Sequence, residues 1–271
     1  MSDRWRETRV AGLLAFAPDR PRPASRRRAA VFVDRDGVLN KLVPSGAGGP
    51  GRTGTRHESP LTPAQVRLID GAAGALRGLA RAGFAIVCVT NQPAAAKHET
   101  SVERLQAVHE RVLALLDAQG GRLDASRLCL HHPEGTDAQL SWTCPCRKPR
   151  PGMLLDAAEA LDLDLRASWM IGDTDADVAA GLAAGCRTIL LEHPDSAHKR
   201  SHAVRAHLLA ADLVTAARLL GQWRVSASGR TLPPVTTAQA RGGEPRGSAH
   251  SSTRESQGSR PARGRSAPSP P

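Results

Sequence analysis

In the stretch "AVFVDRDGVLN", Ala30–Asn40, an apolar run stops abruptly at Asp34 and a second acid follows two residues later at Asp36. The run is rich in β-branched residues and predicts a short buried strand. Working outward, "PSGAGGPGRTGTRHESPLTP", residues 44–63, reads as a long Gly/Pro-rich loop. A helical pattern over 72–82 closes at Gly83, and the apolar strand "FAIVCVT" covers 84–90. Residues 102–119 place Val102, Leu105, Val108, Val112, Leu115 and Leu116 at helical spacing before Gly120 and Gly121. A loop holding Cys and His follows, then a helix from near Pro151, the strand "SWMIGD", a helix over 175–184, the strand "CRTILLE", and a last strand and helix within 211–223.

Strand alternating with helix predicts an α/β fold, a parallel sheet with helices on both faces. Such sheets bind ligands at the carboxyl ends of their strands. Asp34 and Asp36 lie past one strand end, Thr90 and Asn91 past a second, and Asp173 with Asp177 past a third. If the strands are neighbours, these groups share one crevice, and clustered carboxylates call for a cation between them. An all-oxygen set with open water positions suits Mg²⁺.

The net positive charge is concentrated at the ends. Residues 1–28 hold eight Arg against three acids and residues 225–271 seven against two, so the ends supply +10 of the net +11. A folded basic face is therefore not required. The expected organisation is a basic, flexible N-terminal extension over 1–28, one domain over 29–224, and a disordered Arg/Ser/Pro/Gly-rich tail over 225–271. No apolar run is long enough to span a membrane. "GLLAFA" is too short and too poorly flanked for a secretory signal, so the expected compartment is the cytoplasm. Monomer is the default state.

Five cysteines are an odd count in a chain too large to need disulfide staples. Cys129, His131, Cys144 and Cys146 form C-x-H, twelve intervening residues, then C-x-C, a spacing suited to a closed tetrahedral Zn²⁺ site in a loop over 129–149. His132 is the competing ligand, since spacing does not separate neighbouring histidines. Cys88 and Cys186 read as ordinary buried thiols.

Taken in order, "DRDGVLN", "VTNQ", "CRKP" and "IGDTDAD" resemble the motifs of the haloacid dehalogenase superfamily of phosphohydrolases. Within it, the chain resembles the branch holding the D-glycero-D-manno-heptose 1,7-bisphosphate 7-phosphatases and histidinol-phosphate phosphatases. The resemblance covers about Ala30–Leu191, continuing to Trp223, and leaves both ends unexplained.

It implies a Rossmann-like sheet with a minimal cap and hydrolysis of a small phosphorylated sugar, most readily a heptose 1,7-bisphosphate at C7. Asp34 would be the nucleophile that forms an aspartyl phosphate, and Asp36 the acid and base. Mg²⁺ would be held by the Asp34 side chain, the Asp36 main-chain carbonyl and Asp173. Thr90 and the backbone amides after it would bond phosphoryl oxygens, Lys148 would neutralise transition-state charge, and Asp177 would orient Lys148 or a metal-bound water. Asn91, Gln92 and Arg147 are the implied substrate contacts. A zinc loop of this form occurs in the branch.

Three departures bear on specificity. "PAAAKHE" follows "TNQ" where Ser and Gly are common, the loop after Asn40 is enlarged and Gly-rich, and Thr174 stands where the heptose enzymes tend to have Lys. Histidinol phosphate or another small phosphomonoester is therefore the alternative substrate. A nucleic-acid partner is not expected for the folded domain. From a different class, the chain could be a non-catalytic binding module on the same fold, a reading opposed by the presence together of Asp34, Asp36, Lys148 and Asp173.

Overall fold

The computed structural model describes residues 5–10, 12–18, 27–45, 56–201 and 203–226. The strands are β1 (Trp5–Val10), β2 (Leu13–Pro18), β3 (Ala30–Val33), β4 (Val43–Ser45), β5 (Arg56–Glu58), β6 (Ala85–Asn91), β7 (Ala125–Cys129), β8 (Trp169–Gly172), β9 (Arg187–Leu191) and β10 (Leu208–Ala210). The helices are α1 (Ala72–Arg81), α2 (Val102–Ala118), α3 (Gly152–Leu161), α4 (Asp175–Ala183) and α5 (Leu213–Ser226). Eight strands form one sheet in the order β1-β2-β7-β6-β3-β8-β9-β10. From β7 to β10 every neighbour pair is parallel, while β2 joins β7 and β1 joins β2 antiparallel.

Period-two alternation within β3 divides the core. Val31 and Val33 pack with α1, α2 and α5 on one face, while Ala30 and Phe32 pack with α3 and α4 on the other. The strand is buried on both faces, which is why it reads as a continuous apolar run rather than an alternating one. From β3 the chain goes first to β6 on one side and later to β8 on the other. Strand order therefore reverses beside β3, and the connections there diverge to leave a crevice.

The expected elements from α1 onward are present, except that the last strand, β10, ends at Ala210, just before the 211–223 stretch expected to hold it. Three further differences stand out. β7 occupies a stretch expected to be loop, because Ser126 and Arg127 interrupt its apolar pattern; Arg127 is buried through an ion pair with Asp156. The insertion after Asn40 contains the two-stranded pair β4–β5, and His57 in β5 lies 3.8 Å from Asp195. The third difference concerns the basic N-terminal stretch expected to lie outside the domain. Within it β1 and β2 form a hairpin that extends the sheet, with Leu14 and Phe16 fully buried. Charge counting hid the alternation of buried Leu14 and Phe16 with partly exposed Leu13, Ala15 and Ala17. Almost all of the expected tail, residues 227–271, lies outside the described residues. No helix among the described residues is long and apolar enough to cross a membrane.

Candidate active site

β3 delivers Asp34 at its carboxyl end, where the Asp34 amide donates to the Ile171 carbonyl at 3.0 Å and continues the pairing with β8. Immediately after β8, Asp173 faces the same point. Gly37 makes this approach possible: its φ is +89°, and a Cβ there would sit 2.1 Å from Asp173 Oδ2. Oxygens of Asp34, Asp173 and Asp177 lie within 4.8 Å of one another, all on buried residues.

Lys148 reaches this cluster from the long loop after β7. Its Nζ is 2.9 Å from Asp34 Oδ1, 2.5 Å from Asp177 Oδ1 and 2.9 Å from the Val89 carbonyl. Burial opposes the ammonium charge, but Asp177 and Asp34 outweigh it and hold the lysine pKa above its ordinary value. Asp177 is fully engaged, since its second oxygen accepts from the Thr174 amide at 3.1 Å and hydroxyl at 2.6 Å in the capping box of α4. The placement fits a residue that orients Lys148. Thr174, at the position expected to have lost an anion contact, spends its hydroxyl on this cap.

Asp173 is the opposite case. Both its oxygens are buried without a hydrogen-bond partner among the described residues, and the Ser196 hydroxyl donates to the His193 carbonyl instead. An orphaned buried carboxylate beside two others fits a divalent cation. Burial pushes Asp34 up to about 6 against the pull of Lys148, and burial followed by the charges of Asp34 and Asp177 pushes Asp173 up to about 8.

A carboxyl raised in this way holds its proton more tightly folded than unfolded. Its contribution to stability is therefore present at low pH and is lost as pH rises from the unfolded value of about 4 through about 6 for Asp34 and about 8 for Asp173. A cation between the oxygens reverses the loss. Magnesium at a hundred times its pH 8 Kd is expected to stabilise the protein by about 2.7 kcal/mol at pH 8, and the same concentration by clearly less at pH 5. Urea unfolding at both pH values measures this, and equal increments would show that Asp34 and Asp173 do not face the ion.

Asp36 is held apart from this cluster. Oδ1 accepts from Arg35 Nε at 3.0 Å and Asn40 at 2.9 Å, while Oδ2 accepts from Arg35 Nη2 at 2.9 Å and Gln92 at 2.7 Å. Burial alone would raise its pKa, yet Arg35 and these hydrogen bonds override burial and hold it at about 2. Gln92 also donates to Thr90 Oγ1 at 2.9 Å. Gln92 is thus almost fully buried and committed to Asp36 and Thr90 rather than turned to a substrate. Asn91 likewise exchanges two bonds of 3.0 Å with the Lys148 backbone and fixes the lysine in place. Arg147 is half-buried and donates to the His131 carbonyl at 3.2 Å.

Arg35, Asn40 and Arg200 are site residues that the sequence pattern leaves without a role. The first two are polar residues set in the opening motif itself, a signal that was available. Arg200, which binds the carbonyls of Asp173, Leu191 and His193, sits in a His/Lys-rich stretch that reads as solvated surface.

Cys129, the last residue of β7, starts the second cluster. Five of the six separations among Cys129 Sγ, His131 Nδ1, Cys144 Sγ and Cys146 Sγ fall between 3.2 and 3.5 Å. Metal–sulfur bonds of about 2.3 Å in a tetrahedron give edges of roughly 3.5–3.8 Å, so small outward shifts would admit Zn²⁺. His131 is the fourth member, not His132, whose ring instead accepts from the Glu134 amide at 3.1 Å. Cys88 and Cys186 are buried away from the cluster.

A family model described as HAD-hydrolase-like matches residues 145–216. The D-glycero-β-D-manno-heptose-1,7-bisphosphate 7-phosphatase of Rhodopseudomonas palustris is 38% identical over 169 residues, which is 62% of this chain and 86% of that protein. The Yersinia pestis protein of the same name is 40% identical over 162 residues, 60% of this chain and 79% of its own length. Among solved structures, an HAD-like protein of Mesorhizobium loti aligns with a TM-score of 0.63 at 28% identity, over 82% of this chain and 97% of that one. The D,D-heptose 1,7-bisphosphate phosphatase of B. bronchiseptica, complexed with magnesium and phosphate, aligns with a TM-score of 0.56 at 28% identity, over 72% and 99%.

Proposed function

Because this chain belongs to the haloacid dehalogenase-like phosphatases, on the branch of its heptose 1,7-bisphosphate phosphatase relatives, we propose that it removes the C7 phosphate of a D-glycero-D-manno-heptose 1,7-bisphosphate. The observation that carries the chemistry is the Lys148 ammonium bridging Asp34 and Asp177, beside the unpartnered Asp173, at the carboxyl edge of the sheet. The substrate reading is supported by the names of relatives matched over 79–86% of their own length.

In this proposal Asp34 attacks phosphorus, the bond from phosphorus to the sugar oxygen breaks, and Asp36 gives that oxygen its proton. Water then attacks the phosphorus of the aspartyl phosphate, Asp36 takes the water's proton, and phosphate leaves with Asp34 restored. Asp34, Asp173 and the Asp36 main chain are the groups that would hold Mg²⁺, which when bound screens the nucleophile from the phosphate charge. Thr90 Oγ1 accepts from Gln92 with a lone pair, so its own proton remains to be donated to a phosphoryl oxygen. Lys148 balances the charge that builds as phosphorus is attacked.

Asp36 at rest is an ionised acceptor of four hydrogen bonds, the wrong state for an acid. Substrate must therefore loosen the grip of Arg35, Asn40 and Gln92 before Asp36 can carry a proton. With Asn91 and Gln92 committed inside the protein, Arg147 is the residue assigned to the substrate beyond its transferred phosphate.

The test is phosphate release, with Mg²⁺, from both anomers of heptose 1,7-bisphosphate, histidinol phosphate, common hexose phosphates and a 3′-phosphorylated oligonucleotide. One heptose anomer is expected to exceed all others in kcat/KM by about a hundredfold, within the range that site contacts supply. Flat activity across the panel would discard the heptose assignment and leave a phosphatase of other specificity, with histidinol phosphate the first alternative.

A further inference from the structure

The N-terminal hairpin meets the Cys129–His131–Cys144–Cys146 cluster directly. β2 pairs with β7 in a register that sets Leu13 opposite Cys129, and the Gly12 carbonyl accepts from the Leu130 amide at 3.1 Å. Gly12 therefore lies against His131. A Cβ on Gly12 would stand 2.5 Å from His131 Nε2, 2.9 Å from its Cε1 and 3.0 Å from Leu140 Cδ2, and Gly12 also has φ +76°.

A metal-binding histidine ordinarily donates its second N–H to a carboxylate, carbonyl or water, which fixes the ring. Here His131 Nδ1 faces the cysteines, while the opposite nitrogen, Nε2, is buried and has no hydrogen-bond partner among the described residues. Packing takes the place of that bond. Gly12 closes the Nε2 edge and Trp142 packs edge-on against the ring at 4.8 Å. The hairpin itself is anchored farther along the sheet, where the buried Phe16 ring packs on His109 at 4.8 Å.

We propose that the hairpin of β1 and β2 is the lid of this metal site, and that Gly12 is the positioning residue that lets it close on His131. The inference rests on reading the cluster as a zinc site. Metal leaves only when the lid lifts, so a side chain at position 12 that pushes His131 aside shortens metal retention.

The experiment measures transfer of zinc from the full-length protein to a colorimetric chelator, with zinc content determined beforehand. Gly12→Ala is compared with Gly185→Ala, which has a similar φ of +81° and no atom within 4 Å of the added Cβ. Release from Gly12→Ala is expected to be at least about tenfold faster than from the parent, with Gly185→Ala within about twofold of it. Equal release from Gly12→Ala and the parent would overturn the lid. So would equal acceleration in both glycine variants, because backbone strain alone would then be the cause.

A parent purified and refolded with zinc that retains none would overturn the metal reading, and the lid with it. Phe16→Leu loosens the hairpin without touching the cluster and decides the matter if Gly12→Ala does not fold. Its release is expected to rise at least about threefold over the parent, and an unchanged rate would overturn the proposal.

Discussion

Asp34→Asn is expected to lower phosphate release by roughly four orders of magnitude or more, the scale on which loss of a covalent nucleophile is felt. The substitution is nearly isosteric and keeps an oxygen that can face Lys148. The ammonium also retains Asp177 Oδ1 at 2.5 Å and the Val89 carbonyl at 2.9 Å. Folding should survive. Burial already pushes Asp34 up to about 6, so replacing it with a neutral amide removes a carboxylate that is costly to bury. The thermal midpoint is therefore expected to be unchanged or slightly raised, with zinc content at parent level. A variant that kept a tenth of the parent rate would place the nucleophile elsewhere, or show that water attacks the substrate directly.

Lys148→Met carries the second largest effect, on rate and stability together. Removing the cation takes away stabilisation of developing charge and should cost about a thousandfold in kcat. It also leaves Asp34 and Asp177 buried without their partner, a loss of about 3–5 kcal/mol when one side of a buried pair is deleted. The two effects separate in Lys148→Met/Asp177→Asn. The double variant should recover most of the stability in urea unfolding and none of the activity. If activity returned with stability, Lys148 would be a strut for the site rather than its source of positive charge.

The parts of this site that can be read from sequence are those carried by strand ends. Asp34, Thr90 and Asp173 announce themselves because a buried strand ends within one residue of each of them, and β3, β6 and β8 prove to be adjacent. What could not be read is the direction in which a side chain spends its hydrogen bonds. Asn91 and Gln92 are polar residues at a strand end and invite a substrate, yet they hold Lys148 and Asp36. Arg35 lies inside the motif and is fully buried, which composition makes improbable until its fork on Asp36 is seen.

His131 and His132 were equivalent by spacing. The structure separates them because His131 lies two residues beyond the end of β7, on the same side as Cys129. The N-terminal hairpin was obscured for the reverse reason: its arginines dominated the charge tally, and only Leu14 and Phe16 mark the buried face.

The strand order also sets when during synthesis the enzyme can exist. β3 is made early and lies in the middle of the sheet, but β6 and β8 that flank it emerge later, and the Ala30–Ser168 hydrogen bond ties residues 138 positions apart. Pairings this distant in sequence pay their loop-closure entropy before any contact rewards it, so they form slowly. A growing chain therefore exposes its nucleophile long before Lys148, Asp173 and Asp177 have been made. Hydrolytic power should arrive in one step, when β8 docks against β3, with no partly active nascent form preceding it.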